Sequence, residues 1–131
     1  MSQPNIPTVS TFSTPKFLII DDHEVVLSGM TSGLQQLYPD ARIRTATTVE
    51  AAEEELSQQQ PNFVLLDLIL PHRLEETATA QAGVQLLESL LNSELAPSLM
   101  VLSIDIKPLI RLKSVINAYQ GGFVALNKST A

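Results

Sequence analysis

Cysteine is absent from this chain of 131 residues. Disulfide bonds and metal sites with thiolate ligands are therefore excluded, although the redox compartment is left open. Basic residues are also scarce. The chain has eight lysines and arginines and fourteen aspartates and glutamates, which gives a formal net charge of −6. Binding to a nucleic-acid backbone normally needs a basic patch. We expect no direct nucleic-acid binding by this segment, and oxygen ligands at any metal site.

Long apolar runs are missing as well. No run approaches the roughly 20 residues that a membrane-spanning helix needs, and the N-terminus lacks the basic and apolar regions of a signal peptide. No glycine-rich loop of the kind that holds nucleotide phosphates is present. These absences predict a cytoplasmic protein that neither enters a membrane nor binds a nucleotide.

The length predicts one domain with a short leading tail. A chain of 131 residues can build one hydrophobic core, but it is too short for two ordinary domains. Residues 1–15 contain three prolines among serine, threonine, glutamine and asparagine. Such a segment has too little apolar surface to offset the entropy of ordering it. We expect a flexible tail over residues 1–15 and a folded domain over residues 16–131.

Four short apolar runs, FLII, FVLL, LMVL and FVAL, are followed by polar residues. Continuous apolar runs of this length are typical of strands buried on both faces of a parallel sheet, and stretches of helical periodicity lie between them. The segment ARIRTA alternates like a half-exposed edge strand. The sequence therefore predicts an α/β fold with a doubly wound parallel sheet, in which the carboxyl ends of the strands share one ligand-binding edge.

Four helices are predicted between the strands from apolar spacing and capping residues. Their expected positions are His23 to about Leu37, a second helix from Thr47 or Thr48, a third over residues 83–91, and a fourth with Pro108 in its first turn that ends at Gly121.

Polar side chains stand where the predicted strands end: Asp21 and Asp22, Asp67, Ser103 and Lys128. Three close carboxylates disfavour one another's ionised form unless a cation joins them. A metal site in which the protein offers only a few ligands, all of them oxygen atoms, favours Mg²⁺. One carboxylate can then attack a phosphoryl donor, while a lysine and a hydroxyl contact the phosphoryl oxygens. The pattern indicates a phospho-accepting aspartate site.

Each signal has a plainer interpretation when taken alone. An acidic pair before a helix is also typical of helix capping, and one serine or one lysine is unremarkable. We interpret His23 and His72, the only histidines, as surface or loop residues rather than catalytic bases.

The segments FLIIDDHEVVLSGM, VLLDLILP, VLS and ALNKS together resemble the receiver domain of two-component response regulators, closest to the NarL/FixJ type. The resemblance covers the chain from about residue 16 to its end. It implies five parallel strands in the order 2-1-3-4-5. It also implies a phosphohistidine on a sensor histidine kinase as the donor.

The resemblance assigns roles to the site residues by position in the motifs. Asp67 corresponds to the phosphoacceptor, Asp22 to a direct Mg²⁺ ligand and Asp21 to its acidic neighbour. The backbone carbonyl of Ile69 would complete the metal site. Ser103 and Lys128 correspond to the switch hydroxyl and the lysine of the family.

Three positions depart from the pattern of the family. The segment HRLEETATAQA is inserted between Pro71 and Gly83, and it is either a lid over the site or a tolerated surface insertion. Ile104 replaces the small residue that usually follows the switch hydroxyl, and this change is expected to narrow access to Asp67. Ala125 replaces the usual aromatic residue three positions before the lysine.

Only three residues follow Lys128, so the fifth helix of the family is missing from this chain. Part of one sheet face is then expected to be exposed, because a parallel sheet needs both faces covered. We expect a second copy of the chain or a C-terminal effector domain to cover it. The resemblance favours a regulator whose DNA-binding domain lies beyond Ala131.

Two other functions stay open. A pseudo-receiver would keep the fold and act as an interaction module that is independent of phosphorylation. A Mg²⁺-dependent hydrolase would use Asp21 or Asp22 as its nucleophile, although the chain has no cap domain to hold a small substrate.

Overall fold

The computed structural model describes residues 14–128. Five parallel strands form one sheet in the order β2-β1-β3-β4-β5, which confirms the predicted doubly wound fold. The strands are β1 (Lys16–Ile20), β2 (Arg42–Ala46), β3 (Phe63–Asp67), β4 (Ser98–Ser103) and β5 (Phe123–Asn127).

Helical segments connect successive strands. They are α1 (Glu24–Leu37), α2 (Val49–Gln58), α3 (Ala80–Leu91), and a 3₁₀ segment (Lys107–Leu112) that continues into α4 (Lys113–Ala118). The fourth helix therefore begins near Pro108 as predicted, but its first half has the tighter 3₁₀ geometry.

Threonine caps fix the starts of two helices. The side chain of Thr48 accepts a hydrogen bond from the amide of Ala51 at 3.0 Å, and that of Thr79 accepts one from Ala82 at 3.2 Å. Thr79 caps α3, whose first residue, Ala80, lies three residues before the predicted start at Gly83, so part of the insertion is the first turn of this helix. The side chain of His23, the residue at the N-cap of α1, makes no such hydrogen bond.

The hydrophobic core lies between one sheet face and the helices α2, α3 and the 3₁₀ segment. Side chains of alternate strand positions point into it, including Val64 and Leu66 of β3 and Val101 of β4. Ala52 of α2 is fully buried in this cluster, as predicted, and Leu56 packs against it.

The other sheet face is only partly covered. Helix α1 packs against β1 and β2. Two rows of apolar side chains continue across the sheet by register: Leu65, Met100 and Val124 in one row, Leu102 and Leu126 in the next. Val124 and Leu126 on the outer strand are 46% and 48% exposed. We call these five residues the open sheet face.

The inserted segment forms a loop over residues 71–79 that is closed at its base. Leu70 and Thr79 exchange two backbone hydrogen bonds of 3.1 and 2.9 Å. The carbonyls of Pro71 and His72 accept hydrogen bonds from the first amides of α2, those of Val49 and Glu50, at 3.0 Å each. The loop thus supplies acceptors that the helix start otherwise lacks.

Among residues 14–128, no helix is long and apolar enough to cross a membrane. Most of the predicted tail lies outside the described residues. Its last residue, Pro15, accepts a backbone hydrogen bond from Arg42 at 2.9 Å. The division at residues 15 and 16 stays a prediction.

Candidate phosphoacceptor site

The acidic residues meet at the carboxyl edge of the sheet. Asp21 and Asp22 directly follow β1, and Asp67 is the last residue of β3, the neighbouring strand. Strand order reverses between β1 and β3, where α/β sheets open a crevice for ligands. Asp21 and Asp67 are 3% and 5% exposed. The sequence correctly placed these carboxylates together.

Asp67 has a defined partner on each carboxylate oxygen. Its Oδ2 accepts from Nζ of Lys128 at 3.0 Å, and its Oδ1 accepts from the backbone amide of Ile69 at 3.0 Å. Lys128 stands directly after β5, and its Nζ also lies 3.4 Å from Oδ2 of Asp21. One ammonium thus joins carboxylates from two strands.

Lys128 is held in its charged form. Partial burial lowers its pKa, but the hydrogen bond and charge of Asp67, followed by the charge and hydrogen bond of Asp21, outweigh burial and raise the pKa above its ordinary value. The side chain of Lys128 therefore contributes a positive charge to the site at neutral pH.

His23 connects the two leading aspartates. Its backbone amide donates to Oδ1 of Asp21 at 2.9 Å, and its Nδ1 lies 2.8 Å from the same oxygen. Nδ1 also lies 3.3 Å from Oδ1 of Asp22. The hydrogen bond to Asp21 is the main cause that raises the pKa of His23 above its ordinary value. Burial and the charge of Lys128 lower this pKa, and the charges of Asp22 and Asp21 raise it further.

Ser103 ends β4 beside Asp67, whose register partner on that strand is the preceding residue, Leu102. The side chain is fully buried, and its hydroxyl has no hydrogen-bond partner among the described residues. An unsatisfied buried hydroxyl is costly, and such groups often stand at functional positions. Ile104 follows it with its side chain 61% exposed.

A family model described as the response regulator receiver domain matches residues 17–122, most of the chain. The chain belongs to this family. Members are signalling domains rather than classical enzymes, and the family implies phosphorylation by a histidine kinase.

Solved structures with the same fold include other receiver domains. A CheY-like receiver domain protein from Methanospirillum hungatei has a TM-score of 0.64 and 18% sequence identity. The match covers 86% of this chain and 81% of the Methanospirillum chain. The receiver domain of Francisella response regulator 1452 has a TM-score of 0.62 and 14% identity, with 85% and 83% covered.

RcsB from Salmonella enterica serovar Typhimurium, bound to promoter rprA in the presence of phosphomimetic BeF3-, has a TM-score of 0.61 and 22% identity. It covers 85% of this chain, but the match spans only 52% of RcsB. Identities this low establish the fold alone. No curated protein matches the sequence significantly. Because CheY-like proteins and RcsB are both similar, the NarL/FixJ subfamily stays a prediction.

The residues of the receiver domain fit the Mg²⁺ that the family implies. Asp21, Asp22, His23 and Asp67 can each offer one ligand atom, and these atoms all lie within 4.8 Å of one another. Oδ1 of Asp22 is buried and makes no hydrogen bond among the described residues. A buried carboxylate oxygen without a hydrogen bond is a suitable donor for a hard cation.

A separate cavity of about 660 Å³ lies at the opposite, amino edge of the sheet. Phe17, Tyr38 and Phe63 line it, and the rings of Phe17 and Phe63 stack at 5.0 Å. The cavity does not include the acidic cluster. The chemistry of the side chains therefore points to the carboxyl edge as the functional site.

Sequence reasoning missed two features of the site. His23 was interpreted as a surface residue, and its ring is indeed 62% exposed, but it also contacts both leading aspartates. Its position next to an acidic pair was the available signal. The backbone of the loop over residues 71–79 holds the start of α2, and no local sequence pattern indicates this contact.

Proposed function

We propose that Asp67 accepts a phosphoryl group from a phosphohistidine on a sensor histidine kinase, and that this Mg²⁺-dependent, self-catalysed transfer switches an output. The observation that carries the proposal is the buried Asp67 carboxylate at the carboxyl edge, next to Asp21 and Asp22 and bound by Lys128.

In the transfer, a carboxylate oxygen of Asp67 forms a bond to phosphorus while the bond from phosphorus to the donor nitrogen breaks. The ammonium of Lys128, which already contacts Oδ2 of Asp67 and of Asp21, is positioned to neutralise charge on the phosphoryl oxygens. Fixed positive charge at the place where negative charge develops is the main source of catalysis in phosphoryl transfer.

Asp22, Asp67, the carbonyl of Ile69 and the acidic neighbour Asp21 would hold the Mg²⁺. When bound, the ion supplies positive charge that offsets the carboxylates and the incoming phosphoryl group. The backbone amide of Ile69 donates a hydrogen bond to Oδ1 of Asp67 and so orients the carboxylate that would accept the phosphoryl group.

Ser103 is the residue proposed to register the phosphoryl group. Its hydroxyl is buried without a partner, so a new acceptor oxygen at Asp67 would offer it a hydrogen bond. Phosphorylation can shift a two-state equilibrium only by such differential contacts. Phosphorylation adds roughly −1.5 to −2 charges by analogy with phosphoserine.

The proposed output is transcription through a DNA-binding domain outside this segment. The open sheet face is the proposed contact with that domain or with a second copy of the chain. Exposed apolar patches of this kind commonly mark interaction surfaces.

The test is incubation with Mg²⁺ and acetyl phosphate, followed by intact mass spectrometry. We expect one phosphoryl adduct on the wild-type protein and none on Asp67→Asn. Asp40→Asn is the matched control, since Asp40 is an exposed aspartate that lines the cavity at the amino edge of the sheet, the edge opposite Asp67, and it should keep the adduct. An adduct that persists in Asp67→Asn would overturn the assignment of Asp67.

A second candidate is a phosphorylation-independent interaction module. It is favoured by the ion pairs of Lys128 with Asp67 and Asp21, which neutralise part of the acidic charge of the pocket without a metal ion. The two functions differ in their response to Mg²⁺. A working receiver should gain thermal stability as millimolar Mg²⁺ binds the folded state, whereas a module without a functional pocket should show no shift.

A further inference from the structure

Three aromatic rings line the cavity at the amino edge of the sheet. Phe17 of β1 and Phe63 of β3 are register partners, and their ring centroids lie 5.0 Å apart. The ring of Tyr38, the residue after α1, lies 5.8 Å from that of Phe17. Tyr38 and Phe63 are 48% and 38% exposed, so a solute can reach them. The face of an aromatic ring carries partial negative charge and attracts cations.

The charged side chains of the cavity wall have one sign. Asp40 lines the cavity, and none of the described residues that line it is a lysine, an arginine or a histidine. The carboxylate of Asp40 forms no ion pair with another described residue. The wall therefore supplies a carboxylate and no positive side chain to compensate it.

Helix α1 adds a further source of negative potential. Its 14 residues end at Leu37, and both Leu37 and Tyr38 belong to the cavity wall. The C-terminal end of a helix carries roughly half a negative charge, which a basic residue in the last turn can offset. The last turn of α1 has no basic residue. The helix end therefore favours a cation from outside the chain.

We propose that this cavity binds a small organic cation of the quaternary-ammonium class, with its apolar body against Phe17, Phe63 and Tyr38 and its charge near Asp40. The volume of about 660 Å³ lies in the range of small-molecule sites. An inorganic cation would lose its hydration shell against the apolar side chains of this wall, whereas aromatic faces recognise quaternary ammonium groups.

The probes are choline and dimethylbutanol, the alcohol of the same shape in which a carbon atom replaces the quaternary nitrogen. NMR titration of the full chain, followed at the ring resonances of Tyr38 and Phe63, measures the affinity for each. We expect saturable binding of choline that is about tenfold tighter than binding of the alcohol, within the range of cation–π interactions. Equal affinities, or no saturable binding of choline, would overturn the proposal.

Two variants test the residues of the cavity. Asp40→Asn should weaken choline binding by about threefold to fivefold, as expected for a partly solvated charge pair, and leave the affinity for the alcohol unchanged. Phe63→Leu keeps an apolar side chain without the ring and should also weaken choline binding. Glu88→Gln is the matched control, because Glu88 is an exposed carboxylate on α3 outside the cavity wall.

Glu88→Gln removes the same formal charge as Asp40→Asn and should bind choline as the wild-type protein does. An equal loss in these two variants would show that choline responds only to net charge, and the proposed site would be wrong. Sedimentation of the protein with phosphatidylcholine vesicles, without binding of free choline, would likewise exclude a free solute as the ligand.

Cation binding does not depend on the proposed phosphorylation, since the cavity and Asp67 lie at opposite edges of the sheet. If choline binds as expected but no adduct forms on Asp67, the cation site stands and the phosphoacceptor function is wrong. If the adduct forms but choline does not bind, the opposite holds.

Discussion

Lys128 acts as a built-in cation for the carboxylates around it. Its Nζ contacts Asp67 and Asp21 at 3.0 and 3.4 Å, and its side chain is 28% exposed. Removal of one partner from a partly buried ion pair leaves the other charges uncompensated. The ammonium that is proposed to contact the phosphoryl group therefore also stabilises the neighbouring carboxylates.

We expect Lys128→Met to lower the free energy of unfolding by about 1–3 kcal/mol without divalent ions, less than for a fully buried pair because the pair is partly solvated. Added Mg²⁺ should reduce this difference, since it neutralises the same carboxylates. Urea unfolding without Mg²⁺ and with millimolar Mg²⁺ measures both effects.

Lys113→Met is the matched control because Lys113 is exposed at the start of α4. It should change stability by less than about 0.5 kcal/mol. An equal loss in both variants would show that the loss does not come from the ion pairs of Lys128.

At the scale of single elements, helix α3 depends on one glycine. A Cβ atom at Gly83 would collide with the backbone carbonyl of Leu68, the residue that follows Asp67. Helix α3 can therefore approach the end of β3 only because this position has no side chain. The neighbouring buried residue Ala82 extends the same close packing.

Gly83→Ala should lower the free energy of unfolding by about 3 kcal/mol or more, because rigid backbone must move to admit the methyl group. Gly33→Ala is the matched control in α1, where an added Cβ meets nothing within 4 Å. It should raise stability by about 0.5–1 kcal/mol through helix propensity. Thermal unfolding of the two variants should give shifts of opposite sign; a stable Gly83→Ala would contradict the packing described for α3.

Tyr119 joins the end of α4 to the chain before β4, since its hydroxyl donates to the carbonyl of Pro97. Tyr119→Phe should cost about 1 kcal/mol at neutral pH. Burial raises the pKa of Tyr119 above its ordinary value of 10.0. The neutral form is thus favoured in the folded state, so the stability it contributes is complete below pH 10 and is lost as pH rises through the folded pKa.

The difference in unfolding free energy between wild-type protein and Tyr119→Phe should therefore shrink above about pH 10. Denaturant unfolding at several alkaline pH values measures it. Tyr38→Phe is the control, because Tyr38 is 48% exposed. A constant difference from neutral to alkaline pH would contradict the predicted ionisation.

For the molecule as a whole, the open sheet face is a continuous apolar surface that no helix among residues 14–128 fully covers. Val124 and Leu126 lie on the outer strand, where they are about half exposed. Association through apolar surface is favourable by roughly 25 cal/mol for each Å² removed from water. We expect this segment to self-associate as its concentration rises.

The double variant Val124→Lys with Leu126→Lys should shift analytical ultracentrifugation profiles towards the monomer. Val25→Lys is the control, since Val25 is 85% exposed on α1 and lies outside the open sheet face. A monomeric wild-type protein at all concentrations, or an equal effect of Val25→Lys, would show that this face does not drive association.

The sequence predicted the sheet and much of the site because both depend on local patterns. Short apolar runs define parallel strands, and polar residues at their ends must meet at one edge. This argument was enough to bring Asp21, Asp67 and Lys128 together. The start of α3 was missed because Thr79, its cap, lies inside a segment that had been interpreted as a loop.

Other features depend on tertiary contacts that no periodicity encodes. The 3₁₀ geometry of Lys107–Leu112 and the contact of His23 with the aspartates are examples. The capping of α2 by the carbonyls of Pro71 and His72 is another, since backbone acceptors leave no trace in residue type.

The loop over residues 71–79 also offers a place to attach a reporter. The hydrogen bonds between Leu70 and Thr79 keep its two ends side by side, while Leu74 at its tip is 76% exposed. Exposed loop tips tolerate inserted domains. The base of the loop is three residues from Asp67 along the chain, so a fluorescent protein inserted at the tip would report on changes close to the proposed phosphoacceptor.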